Sequence, residues 1–297
     1  MEFKIKNNFL ILIFSIILFS NVHANEKITL QLKWFHQFQF AGYYAAKEKG
    51  FYKELGLDVE IKERDLKYNN IDEVINGNAQ YGVADSILIL YGLKQKPIVI
   101  ISPIFQHSPS VFISLKKNNI SSVYELNNKN ILFYPNDTDG FSLLAMIKKF
   151  DLNVNLIRER YKDDYMRLIN NEVDVMPAYI SNEPFILKEK GYDLNIINPT
   201  NYGFDMYGDI LFTNEYEAEN NPNRVVKFKE ATLKGWKYAL ENQEEIIKLI
   251  NEKYSKQKSI EQLRYEAKAI ASLINKDVIP LGYLDQGRIR YISEMYK

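Results

Sequence analysis

The 297-residue chain contains no cysteine. That excludes a disulfide, a thiolate metal site, a cysteine nucleophile and a lipid-modified cysteine at a processed N-terminus. Histidine occurs three times, there is no HExxH stretch, and no His/Asp/Glu group has metal-ligand spacing, so no metal ligand is assigned. No nucleophile stands beside a base, so no catalytic residue and no cofactor are assigned either. Charge of one sign is also missing. The 38 Lys and Arg balance 38 Asp and Glu, which argues against nucleic acid or an anionic membrane as partner. No Walker pattern occurs, and after residue 24 no apolar run is long enough to span a bilayer.

Residues 1–24 read as a secretory leader. Lys4 and Lys6 precede the apolar run Phe9–Phe19, and Val22-His23-Ala24 offers small residues where signal peptidase cuts. Its removal takes Lys4, Lys6 and Glu2, leaving 36 basic and 37 acidic side chains. The exported chain is expected to be a soluble monomer without stable membrane insertion. Its hydrophobic content of 46% is enough for real cores, and its length allows one large domain or two ordinary ones.

The rest is organised around residues 28–61. Ile28, Leu30 and Leu32 alternate with polar residues as in a strand, and Leu57–Ile61 reads as a second. The segment between them is helical, with Gly50 able to take the positive φ of a helix stop. This is a βαβ unit with two parallel strands. Trp34, Phe35, His36, Phe38, Phe40, Tyr43 and Tyr44 crowd its strand-to-helix connection, where a parallel sheet opens its ligand crevice. Trp34 and Tyr43 are read as stacking faces for a flat ligand, with His36 and Phe40 beside them. Phe35, Phe38 and Tyr44 fit core and pocket equally.

Further along, apolar strands repeatedly end in polar and aromatic residues. Asp85 and Ser86 follow one such strand and either cap the next helix or face the crevice. Pro97–Phe105 is a near-continuous apolar run, as expected of a central strand buried on both faces. The polar loop holding His107 and Ser108 then marks a crossing into a second half, with His107 either a ligand contact or structural. Asp137, Thr138 and Asp139 start a helix and cap it or hold an anion. Tyr179, Asn182 and Glu183 end another strand, Glu183 also fitting as an acid at a helix start. Asn198–Asp209, with Tyr202, Asp205 and Tyr207, reads as the return crossing. Residues 221–297 are helical, their aromatics Trp236 and Tyr238 serving as packing.

The pattern Lys33-Trp34-x-x-Gln37-x-x-x-Ala41-Gly42-Tyr43-Tyr44-x-Ala46-x-x-x-Gly50-x-Tyr52-x-x-x-Gly56-Leu57-x-Val59-x-Ile61 resembles the start of periplasmic solute-binding proteins of ABC importers, the SsuA/thiamine-pyrimidine-synthase-like family. The resemblance runs through most of the exported chain and is less specific for ligand than for family. It implies an α/β, two-lobed periplasmic-binding-protein fold (type II), each lobe a mainly parallel sheet flanked by helices. Lobe 1 is expected to comprise 25–110 and 208–297 and lobe 2 residues 111–207. It also implies capture of a thiamine-pyrimidine precursor such as formylaminopyrimidine or hydroxymethylpyrimidine, and delivery to an importer permease. In pyrimidine-binding members a glutamate near Glu183 accepts hydrogen bonds from the ring amine, and Asp205 is expected to share the polar edge. The family also contains fungal synthases, whose cofactor lysine would fall at Ala84 and sacrificial histidine at Leu88. Those residues and the cysteine motif are absent, which disfavours the enzyme. An extracytoplasmic ligand sensor is a third reading.

Overall fold

The computed structural model describes residues 25–133, 140–158 and 164–297. The expected leader and the Asp137–Asp139 helix start lie outside the described residues. In the first half, β1 (Glu26–Gln31) leads through a 3-10 turn at Phe38–Phe40 into α1 (Ala41–Glu48) and α2 (Phe51–Glu54). Then come β2 (Leu57–Lys62), α3 (Asn70–Ile75), β3 (Tyr81–Ala84), α4 (Ile87–Leu93) and β4 (Ile98–Pro103). The second half contains β5 (Ser110–Leu115), β6 (Asn130–Phe133), α5 (Phe141–Lys149), β7 (Asn155–Arg158), α6 (Asp164–Ile169), β8 (Met176–Tyr179), α7 (Glu183–Glu189) and β9 (Leu194–Ile197). The chain returns through β10 (Ile210–Asn214), followed by α8 (Glu215–Asn220), α9 (Pro222–Glu241), α10 (Gln243–Lys253), α11 (Ile260–Ile274) and α12 (Gln286–Met295).

The first sheet has the order β2-β1-β3-β10-β4. β1 is parallel to β2 and β3, while β10 is antiparallel to both of its neighbours. In the second half β5 is antiparallel to β8 and β9, and β6 runs parallel to β7. β6 meets the segment before β8 through an Ile131–Val175 parallel bridge, with Leu132 N donating to Val175 O at 2.9 Å. Both halves therefore repeat one plan, in which each strand arriving from the opposite half is the antiparallel one. This is the two-lobed α/β architecture that the resemblance implied, and it aims the carboxyl ends of both sheets at each other.

The burial patterns follow from position. β2 alternates buried and exposed residues as an edge strand with one face covered, whereas β3, β5 and β10 are buried throughout. β4, expected to be central, is instead the outer strand. Its apolar run survives there because α4, α8 and α9 pack against it. The helix break at Gly50 is as expected, with φ 79.

The first-lobe core centres on Trp236, which is fully buried. Gly42 on α1 and Gly235 on α9 let these helices approach: a Cβ at Gly42 would meet Trp236 Cγ at 2.1 Å, and one at Gly235 would meet Gly42 O at 2.2 Å. Tyr43 and Phe105 pack edge-to-face on the same indole, with centroids at 5.8 and 6.0 Å.

Candidate functional site

β1, β3 and β10 bring Lys33, Asp85 and Asp209 to one edge of the first sheet. Lys33 lies two residues beyond the end of β1 and is fully buried. Its Nζ donates to Tyr179 Oη at 2.7 Å, and Tyr179 ends β8 of the opposite sheet. The same Nζ lies 3.6 Å from Asp209 Oδ1 and 4.0 Å from Asp85 Oδ2. Asp209 also accepts two hydrogen bonds from Gln39 Nε2, at 3.0 and 2.9 Å, and Gln39 Oε1 accepts from Gln37 Nε2. Such a charge set is held in a dry place only because each member has partners, since an isolated buried ion costs several kcal/mol.

Asp85 stands between β3 and α4. Its Oδ1 accepts from Ile87 N at 2.9 Å, so it caps α4 while facing Lys33. Ser86 does not cap: its hydroxyl pairs with Tyr296 Oη at 2.7 Å. Burial, with Asp85 adding to it, raises the Tyr296 phenol well above its ordinary pKa. Behind the main chain of Lys33, Arg64 Nη1 donates to Lys33 O and Asn70 Oδ1, at 3.3 and 2.9 Å. Arg64 Nε is buried without a partner, beside a cavity of about 50 Å³.

On the second sheet's side, Glu183 is occupied by its own turn. Its Oε2 accepts from Tyr179 N and its Oε1 from Asn182 Nδ2, both at 2.7 Å. Asn182 Oδ1 in turn accepts from Lys258 Nζ at 2.7 Å and Gln262 Nε2 at 3.0 Å, both of the first lobe's helical region. In the connections before β5 and β10, His107 Nδ1 lies 2.8 Å from Asp205 Oδ1, and Arg288 Nη2 donates to the same oxygen at 2.9 Å. Tyr207 lies beneath the Arg288 guanidinium at 4.4 Å, its hydroxyl accepting from Asp285 N at 2.9 Å. Ser108 Oγ accepts from Ser110 N at 3.2 Å.

The remaining expected residues are held by other contacts. Trp34 is half-buried and edge-on to Phe35, with centroids 5.3 Å apart. Phe40 and Tyr43 are fully buried members of the Trp236 core, because the helix that begins at Ala41 turns them inward. Burial raises the Tyr43 hydroxyl well above its ordinary pKa. His36 pairs with Tyr44 Oη at 2.8 Å and stacks edge-on against Tyr44 and Tyr254, on the flank of lobe 1. Burial lowers its pKa against the raising effect of Glu63. Tyr202 is turned into lobe 2: its 3-10 turn points the hydroxyl at Val123 N, 3.2 Å away, and the ring at Phe150. Sequence reasoning passed over Lys33, Gln39, Asp209 and Arg288. Lys33 had a signal, a lone charge directly after an alternating strand at the crevice end.

Among the described residues no group of three His, Asp or Glu side chains is arranged to hold a metal ion. Residues 37–246 match the NMT1/THI5-like family. The chain belongs to that family. This NMT1/THI5-like chain is 23% identical over 236 residues to a formylaminopyrimidine-binding protein of Halalkalibacterium halodurans, covering 78% of the chain and 72% of the relative. It is 24% identical over 230 residues to the riboflavin-binding protein RibY of Chloroflexus aurantiacus, covering 75% of the chain and 65% of that relative. Among solved structures, the alkanesulfonate-binding protein SsuA of Xanthomonas axonopodis pv. citri, bound to MOPS, superposes with TM-score 0.68 at 11% identity, over 90% of each chain. The aliphatic sulphonate-binding protein SsuA of Escherichia coli gives 0.67 at 12% identity, over 91% of each. These structural likenesses establish the periplasmic-binding-protein fold for this NMT1/THI5-like chain.

Proposed function

We propose that this protein captures a small, ring-bearing solute between its lobes and delivers it to an ABC importer permease on the outer side of the membrane. One observation carries the reading: Lys33 of the first lobe meets Tyr179 of the second at 2.7 Å, at the point where both sheets end. Lobe 1 is taken as residues 25–110 with 208–297 and lobe 2 as 111–207, the leader 1–24 directing export. Closure about the two crossings then encloses the ligand. Both curated relatives are named for binding a nitrogen heterocycle, which supports the same class here. Of these, formylaminopyrimidine or a similar thiamine precursor suits the crevice. Asp85 and Asp209 outnumber Lys33 there, which favours an uncharged ring with hydrogen-bond donors over a sulfonate anion. In this reading Trp34 stacks on the ring and Glu183, oriented by Tyr179 N and Asn182 Nδ2, accepts from the ligand's amine with its remaining lone pairs.

The test is a thermal-shift panel of formylaminopyrimidine, hydroxymethylpyrimidine, riboflavin, pyridoxal phosphate and alkyl sulfonates. A ligand at 100 times its Kd adds about 2.7 kcal/mol of stability, well within detection. Trp34→Ala and Glu183→Ala should each weaken binding by roughly 1–3 kcal/mol. Unchanged affinity in both variants would remove the assignment of these two residues, and a shift with sulfonates alone would overturn the ligand class.

A further inference from the structure

The second lobe is gripped by α11 of the first and by Lys258 just before it. Asn182 Oδ1 accepts from Lys258 Nζ at 2.7 Å and from Gln262 Nε2 at 3.0 Å, while Tyr265 Oη donates to Ile180 O at 3.0 Å. Phe185 rests against the Tyr265 ring, with centroids 5.4 Å apart. Lys258 is anchored in turn by the buried Glu266, whose other oxygen accepts from Phe38 N at 3.0 Å. A continuous polar relay therefore runs from the aromatic β1–α1 connection, through Glu266 and Lys258, to the turn that carries Glu183.

We infer that Asn182 is the keystone of an interlobe latch: Lys258, Gln262 and Tyr265 hold residues 180–182 against lobe 1, so Asn182 positions the halves and does not contact the ligand. Three features carry this. Both of the Asn182 oxygen's donors come from the opposite lobe. Its amide nitrogen is spent on Glu183 Oε1 at 2.7 Å, which orients that carboxylate. The anchor Glu266 is nearly inaccessible, so the lysine it holds has a fixed origin. A contact that exists only when the lobes meet adds to the closed state alone and shifts the closing equilibrium by its own free energy. The latch rests on the binding reading only for its benefit to the ligand, because closure itself is measurable without one.

The test uses the absence of cysteine. Spin labels at Lys237→Cys on α9 and Glu189→Cys on α7, both exposed positions, report the distance between lobes by double electron–electron resonance. In the ligand-free protein, Gln262→Ala combined with Tyr265→Phe should move the distribution to longer distances, and Tyr265→Phe alone should do so partly. Two lost hydrogen bonds correspond to roughly a tenfold or greater fall in the closed-to-open ratio. Gln262→Lys, which keeps a donor toward Asn182, should retain the original distribution. Formylaminopyrimidine and riboflavin then serve as affinity probes, binding more weakly to the double variant while saturation restores the short distance. An unchanged ligand-free distribution in the double variant overturns the latch. So does Asn182→Ala, if it loses affinity without any change in distance, since Asn182 would then be a ligand contact. If neither probe binds the original protein, the binding reading fails while the distances still decide the latch.

Discussion

Two charged clusters border the cleft and use the same chemistry under different burial. Lys33, Asp85 and Asp209 have side-chain exposures of 1%, 9% and 0%. His107, Asp205 and Arg288 have 30%, 36% and 16%. In the first cluster the attraction acts in a low dielectric and the desolvation cost is high, so removing one partner strands the others. In the second, water screens the charges and each pair contributes little. Lys33 therefore both holds the first lobe's edge and presents a fixed donor to Tyr179, whereas the Asp205 cluster rests on weaker, water-screened pairs.

The largest effect that sharpens this contrast is Lys33→Met, which removes the cation shared by two buried carboxylates. It should lower unfolding free energy by about 3–5 kcal/mol, read as a lowered urea midpoint. A loss below that of an ordinary surface substitution would break the comparison. Gly42→Ala comes next, because its new methyl meets the Trp236 ring. Overpacking should cost about 1–3 kcal/mol, seen as a lowered Tm. At the exposed cluster Arg288→Gln should change stability by no more than about 1 kcal/mol and lose even that in high salt.

The pH dependence offers a smaller test with two opposite signs. Burial raises the Glu266 carboxyl above its ordinary value, against the lowering effects of Lys258 and the Phe38 N–H. The folded state then binds more protons than the unfolded one just above pH about 4.3, so this group's stabilising share declines as pH rises through its folded pKa. Glu266→Gln should remove that part of the slope in urea midpoints measured between acid and neutral pH. The lowered pKa of His36 acts in reverse. Its share is fully present above an unfolded value of about 6.5 and is lost as pH falls through the folded value. His36→Gln should flatten this weaker trend.

The opening βαβ unit and the Gly50 stop were legible because period and turn chemistry agree over that stretch. Tyr43 was misplaced toward the cleft because an aromatic just inside a helix has the same sequence signature whether its face turns to crevice or to core. Only the partner helix α9, nearly two hundred residues later, decides it with Trp236. The edge position of β4 was illegible for a related reason: an apolar run reports covered faces, and helices cover an edge strand as well as a central one. Asp209 was passed over because its pairing with Lys33 is a contact between distant strands, with no local spacing to betray it. Tyr202 shows the converse, a residue in a polar crossing loop whose ring is claimed by Phe150.

The central claim, a small ring captured between the lobes beside Trp34, is tested most directly by intrinsic fluorescence. The chain has two tryptophans, Trp34, half-buried beside Lys33, and Trp236, sealed in the lobe 1 core. Formylaminopyrimidine and riboflavin are titrated into the wild-type protein and into Trp34→Phe, with calorimetry run in parallel. The account predicts saturable one-to-one quenching by one of them in the wild type, and loss of most of that signal in Trp34→Phe while calorimetry still detects binding. No saturable response to either compound, or quenching that persists undiminished without Trp34, would contradict it.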